Sequence, residues 1–185
     1  MMTSEYGLEK KFCRIGEAVT LTEGCRIEGY ASLFGLTDKG GDVVMPGAYG
    51  KSLARLKAES RAVRMLWQHD ATQPIGVWDE IAEDGRGLRV KGRILTEIEK
   101  GRDAAALVAA GAIDGLSIGY RTVTAEKDAK GQRLLREVEL WEVSLVTFPM
   151  LPEARVSAKG ETLGAETLRD LAALFEEARR TLAGR

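Results

Sequence analysis

Residues 134–148 read as one long strand, and residues 116–124 read as another that meets it through the polar turn Lys127-Asp128-Ala129-Lys130-Gly131. This hairpin limits the fold more than any other stretch, because its second arm is apolar enough to demand burial within a sheet. Further strand signals at 12–15, 26–34, 63–68, 76–81 and 88–95 bring the total to about seven, mostly in antiparallel connection. With two or three helices, that pattern predicts an α+β chain that is mainly β: a barrel or tightly curled sheet with helical cover.

The connections carry their own signals. Residues 35–47 form a loop rich in turn residues, and Gln73-Pro74 and Glu83-Asp84-Gly85 read as turns. Helical spacing appears at 48–57 and 96–110, where Thr96 is the expected cap and Gly111 the stop. Leu168, Leu171, Leu174, Phe175, Ala178 and Leu182 are spaced for an amphipathic helix over 161–182. A short linker at 157–160 then divides a barrel domain, 1–157, from a helical tail, 158–185.

Composition narrows the chemistry. There is a single histidine, so a hydrolase here must use that imidazole or none, and no Cys/His zinc site of ordinary spacing can be built. No metal or cofactor is expected. Cys13 and Cys25 lie on what read as adjacent strands and suit small apolar fillers of a reducing compartment. Net charge is −1, which gives no global field for nucleic acid or an anionic membrane. The cations Lys51, Arg55, Lys57, Arg61 and Arg64 read as the solvated face of a helix. No apolar run approaches membrane-spanning length and the first residues lack a signal-peptide core, so a cytoplasmic location is expected.

Gly50-Lys51-Ser52 lacks the upstream glycine of a phosphate-binding loop, where Met45 stands instead. Gly115-Leu116-Ser117-Ile118-Gly119 fits the pattern of a nucleophile elbow, but a strand follows it, and the only histidine, His69, precedes it. That order excludes an α/β-hydrolase and leaves a serine uncrowded between two glycines. His69 ends the apolar run 63–68 beside Asp70. The strand 137–146 carries Glu137, Glu139 and Glu142 among apolar residues. Strict alternation sends Leu140, Glu142 and Ser144 to one face, and Glu139, Trp141 and Val143 to the other. A carboxylate there needs a partner, either an imidazolium or Arg121 or Arg136 across the ladder.

Six segments in order carry a resemblance: 29–34 (Gly-Tyr-Ala-Ser-Leu-Phe), 42–49, Trp67-Gln68-His69-Asp70, Pro74-Ile75-Gly76, 115–120 and 140–146. Over roughly residues 25–157 the chain resembles the caudovirus prohead serine proteases, which include those of prophages and gene transfer agents. The resemblance implies a fold related to the herpesvirus assemblins, a mostly antiparallel seven-stranded barrel ringed by helices. It also implies a Ser–His pair, here Ser117 and His69, with a third member from a strand after the serine. The herpesvirus relatives use a second histidine. This chain has none to offer, so an acid must serve: Glu142 is the choice, with Glu139 the fallback one face over. Ser144 is the competing nucleophile. The implied activity is a serine endopeptidase that cuts the scaffolding segment from the major capsid protein, and often itself, inside the procapsid in the host cytoplasm. A homo-oligomer is left open. The competing expectation is a non-catalytic capsid-assembly scaffold or chaperone on the same barrel, in which the three groups would be scattered. Family members commonly carry an asparagine after the proline that ends the last core strand, and here Leu151-Pro152-Glu153 follows instead.

Overall fold

The computed structural model of the chain describes residues 9–13, 25–38 and 40–148. Within them run the strands β1 (Glu9–Cys13), β2 (Arg26–Leu33), β3 (Asp42–Val44), β4 (Arg64–Trp67), β5 (Asp70–Glu83), β6 (Gly87–Ile94), β7 (Gly115–Lys127) and β8 (Arg133–Val146). The helices are α1 (Gly50–Ala58) and α2 (Glu99–Ala109). The strands join in one curled 8-stranded sheet of order β1-β7-β8-β4-β5-β6-β2, with β3 also on β8. The mostly-β expectation with few helices holds. The sheet is mixed, however, because β3 and β4 both run parallel to β8, and it has one strand more than expected. The extra strand, β3, is three residues inside the loop 35–47, where flanking turn residues mask it. The predicted helix at 161–182, the linker and the tail lie outside the described residues.

β8 organises the sheet. β7 pairs antiparallel with it along one edge. On the other edge β3 takes Arg133–Leu135 and β4 takes Glu142–Leu145. Between those two partners the backbone of β8 would be left unpaired, and the segment leading into α1 fills the gap. Val138 N–H donates to the Ala48 carbonyl at 3.0 Å, and Leu140 N–H donates to the Ser52 hydroxyl at 2.9 Å. Ser52 is thus a buried polar residue on α1 whose side chain acts as a piece of sheet backbone. The start of α1 has no acidic residue of its own, and Glu83 of β5 supplies an acceptor to the Tyr49 N–H at 2.9 Å.

The core lies under the curl, with Ile27, Tyr49, Met65, Leu88, Ile118 and Leu145 among its fully buried members. Burying each such side chain contributes about 1.5–3 kcal/mol, which is what holds α1 and α2 against the sheet. Of the five cations expected on one helix face, Lys51, Arg55 and Lys57 lie on α1, whereas Arg61 follows it and Arg64 opens β4. Lys51 pairs with Glu137 at 2.7 Å, Arg55 with Glu139, and Arg61 with Glu59 at 3.1 Å. α2 begins later than its periodicity suggested. Ile98, not Thr96, occupies the N-cap position, with no side-chain cap, while Gly111 ends the helix at φ 69° as expected. Gln73 and Pro74 lie within β5 and make no turn. Cys13 ends β1 and Cys25 precedes β2, and these strands are not hydrogen-bonded neighbours, since β1 pairs with β7 and β2 with β6.

Replacing Ser52 with alanine leaves the buried Leu140 N–H without its acceptor. Ser52→Ala should therefore cost about 1–3 kcal/mol of stability, read as a lower urea midpoint at unchanged slope.

Candidate active site

β4 and β5 are joined by only Gln68 and His69, with Trp67 paired to Asp70. Both loop residues have positive φ, 52° and 64°, as a two-residue type I′ hairpin requires. The sequence expectation of a strand ending at His69 is corrected here: the histidine is the second residue of a tight turn. Such turns favour asparagine and glycine, so Gln-His carries no recognisable signature. The turn is held by Gln68, whose N–H donates to the Leu145 carbonyl at 2.9 Å. Its side-chain amide donates to Thr147 Oγ1 at 2.6 Å and accepts from the Thr147 N–H at 3.3 Å. The end of β8 thereby fixes where the imidazole projects.

The His69 ring meets two predicted partners. Nδ1 lies 2.5 Å from Glu142 Oε1, and Nε2 lies 2.6 Å from Ser117 Oγ. With the proton on Nδ1, the ring donates to the carboxylate and accepts from the serine hydroxyl. The site is nearly dry: the His69 side chain is 3% exposed, that of Glu142 7%, and Ser117 0%. Low dielectric strengthens a hydrogen-bonded chain of this kind and penalises any member left unpaired. Ser117 lies inside the sheet rather than at a strand end, opposite Phe12 of β1 on one side and Ser144 of β8 on the other.

Regular pairing with β7 carries Glu142 to this point, and a bulge precedes it on β8. Gly119 pairs with Glu142 but Tyr120 pairs with Leu140, so Trp141 is an extra residue on β8 and projects half-exposed. The extra residue changes the phase of alternation. Leu140 follows Tyr120 into the core, and Glu142 takes the opposite side with Gly119, Ser117 and Ser144, against the expectation that Leu140 and Glu142 share a face. Glu139 pairs with Arg121, two residues from Gly119, so the bulge also returns it to the Ser117 side of the ladder rather than to the other face. It remains apart from the imidazole because Arg55 and Arg121 hold both its oxygens.

Two residues make room and support for the Glu142 carboxylate. Gly119 is one: a Cβ there would overlap Oε1 and lie 2.8 Å from Cδ and Cγ. The sequence marked this glycine as a neighbour of Ser117, whereas its missing side chain is the space the carboxylate occupies. Ser144 is the other, donating its hydroxyl to Glu142 Oε2 at 2.5 Å. Among the described residues, no group of His, Cys, Asp and Glu side chains is arranged to hold a metal ion.

Burial, the largest influence on Glu139, favours its neutral form, but the hydrogen bonds and charges of Arg55 and Arg121 together hold its pKa below the usual glutamate value. A carboxyl more acidic folded than unfolded adds stability above its unfolded pKa of about 4.3 and loses it as pH falls through the lower folded value. Acid unfolding of Glu139→Gln, followed by circular dichroism, should therefore be less steep below about pH 4 than that of the unmodified protein. In Gly119→Ala the methyl group forces the carboxylate off the ring. The Nδ1–H resonance of the single histidine should shift or vanish in isotope-edited NMR, with an overpacking cost of about 1–3 kcal/mol.

Comparison with known proteins adds to this geometry. The model of the caudovirus prohead serine protease family matches residues 15–168. The prohead protease of Enterobacteria phage HK97 is 34% identical over 147 residues, covering 78% of this chain and 64% of that protein. The chain thus spans under two-thirds of that relative's length. The structure of the bacteriophage T4 capsid assembly protease superposes with a TM-score of 0.55 at 19% identity, covering 77% of this chain and 95% of that one. At that identity the likeness speaks for the fold alone.

Proposed function

Because this chain belongs to the caudovirus prohead serine protease family, we propose that it is a serine endopeptidase of capsid maturation, with Ser117 as nucleophile, His69 as general base and Glu142 as the acid that orients the imidazole. The observation that carries this reading is the chain of hydrogen bonds Ser117–His69–Glu142, at 2.6 and 2.5 Å, in a buried setting. His69 Nε2 takes the Ser117 proton as Oγ attacks the scissile carbonyl carbon, then returns it to the leaving amine as the C–N bond breaks. Water, deprotonated by the same nitrogen, releases the acyl group from Oγ. Glu142 keeps the Nδ1 proton in place and stabilises the imidazolium formed midway. Ser117 exposes none of its surface in this state, so attack requires an opening that admits the peptide carbonyl.

The proposed substrate is the scaffolding segment of the major capsid protein, and the enzyme's own chain as well, cut within the procapsid in the host cell. The name of the HK97 relative, a prohead protease, supports a role in capsid maturation. The proposal extends to kinship with the herpesvirus assemblins, Glu142 standing in for their second histidine, and to a protease domain at 1–157 followed by a helical tail. A non-catalytic scaffold on the same fold would not need three chemically matched groups in hydrogen-bonded order, and their arrangement weighs against it.

Ser117→Ala should abolish cleavage of a capsid precursor, read on a gel, while the fold persists. Glu142→Gln keeps the shape without the charge and should lower kcat by about 10⁴-fold, the cost of the corresponding change in another serine protease. Glu139→Gln should remain within a few-fold of the unmodified rate. A crippled Glu139→Gln beside an active Glu142→Gln would transfer the third role to Glu139.

A further inference from the structure

We propose that Ser144 is a positioning residue of this site, locking the plane of the Glu142 carboxylate so that the His69 ring stays aimed at Ser117. The inference rests on the Ser117–His69–Glu142 reading above. A carboxylate bound through one oxygen can still pivot about its Cγ–Cδ bond, and the imidazole it holds pivots with it. Here the second oxygen is also held: Ser144 Oγ lies 2.5 Å from Oε2, within the range of a charge-assisted O–H···O⁻ bond. A buried carboxylate with one oxygen unsatisfied would be costly, and Ser144 is the side chain that meets Oε2.

Ser144 suits the task because its backbone is fixed on both edges. It pairs with Ser117 of β7 and with Leu66 of β4, and it exposes none of its surface. The carboxylate's position is therefore set by the same rung of the ladder that carries the nucleophile. The arrangement also argues against Ser144 as an attacking group. Its hydroxyl proton is directed to Glu142, while the basic nitrogen of His69 faces Ser117.

The test is Ser144→Ala in the full chain, with a fluorophosphonate as the probe of the nucleophile and isotope-edited NMR of the single histidine as the probe of the ring. The maximal labelling rate should fall by about 10–100-fold, the effect of removing one hydrogen bond to a charged group, while the probe's half-saturation concentration changes little. The Nδ1–H resonance should move, which a purely structural serine would not cause in a protein that remains folded. An unmodified rate and resonance in Ser144→Ala, beside a Ser117→Ala variant that takes up no probe, would overturn the role of Ser144 alone. Probe uptake persisting in Ser117→Ala would overturn the underlying assignment, and this inference with it.

Discussion

A carboxylate buried in the middle of a β-strand is the feature to which the rest of this structure answers. Left unpaired, Glu142 would cost several kcal/mol, and its neighbours are arranged so that it is never unpaired. Regular pairing of Gly115–Gly119 with Glu142–Val146 puts it on the Ser117 side, and the bulge at Trp141 sends Leu140 to the other. Gly119 vacates the volume it needs, and Ser144 and His69 each take one oxygen. The opposite edge of β8 is satisfied from another element. There the Ser52 hydroxyl accepts the Leu140 N–H between the parallel partners β3 and β4.

The histidine is held by a different economy. Left-handed backbone at a residue other than glycine costs roughly 1–2 kcal/mol, and Gln68 and His69 both adopt it. The compensation is local: the Gln68 backbone and side-chain bonds to Leu145 and Thr147, each worth about 0.5–1.5 kcal/mol, and the two ring contacts of His69. Backbone strain held in place by surrounding contacts is a recurrent mark of functional sites, because a relaxed turn would not project the ring in this direction. Since β4 is only four residues long and pairs with the same stretch of β8 that carries Glu142 and Ser144, ring and carboxylate share one scaffold.

Much of this was legible in the sequence, and the parts that were not share a cause. The β7–β8 hairpin, β2, β6 and both helices follow from periodicity and turn residues, which report local conformation. His69, Ser117 and Glu142 could be named because only one histidine exists and because the order of segments resembled a known family; the structure brings those three side chains together. What stayed hidden depends on partners distant in the chain. β3 is a strand only because Arg133–Leu135 lies beside it. The turn at Gln68-His69 lacks the residues that announce one. Period-two alternation predicted that Glu142 and Ser144 share a face, which holds, and placed Leu140 with them, which the bulge undoes. The same bulge explains why Glu139 was expected on the far face, although two arginines, rather than the pleat, keep it from the imidazole.

The parallel docking of β4 on β8 also sets an order of events in time. His69 is separated by 48 residues from Ser117 and by 73 from Glu142. The β7–β8 hairpin can align Ser117 with Glu142, but no local segment brings His69 to either, and long-range strand pairing must overcome its loop-closure entropy first. A chain whose β4 has not yet docked on β8 therefore has a serine, a histidine and a glutamate but no aligned site, and one cut before β8 lacks Glu142 altogether. For a protein proposed to cut its neighbours at close quarters, the chemistry stays silent until β4 has docked on β8.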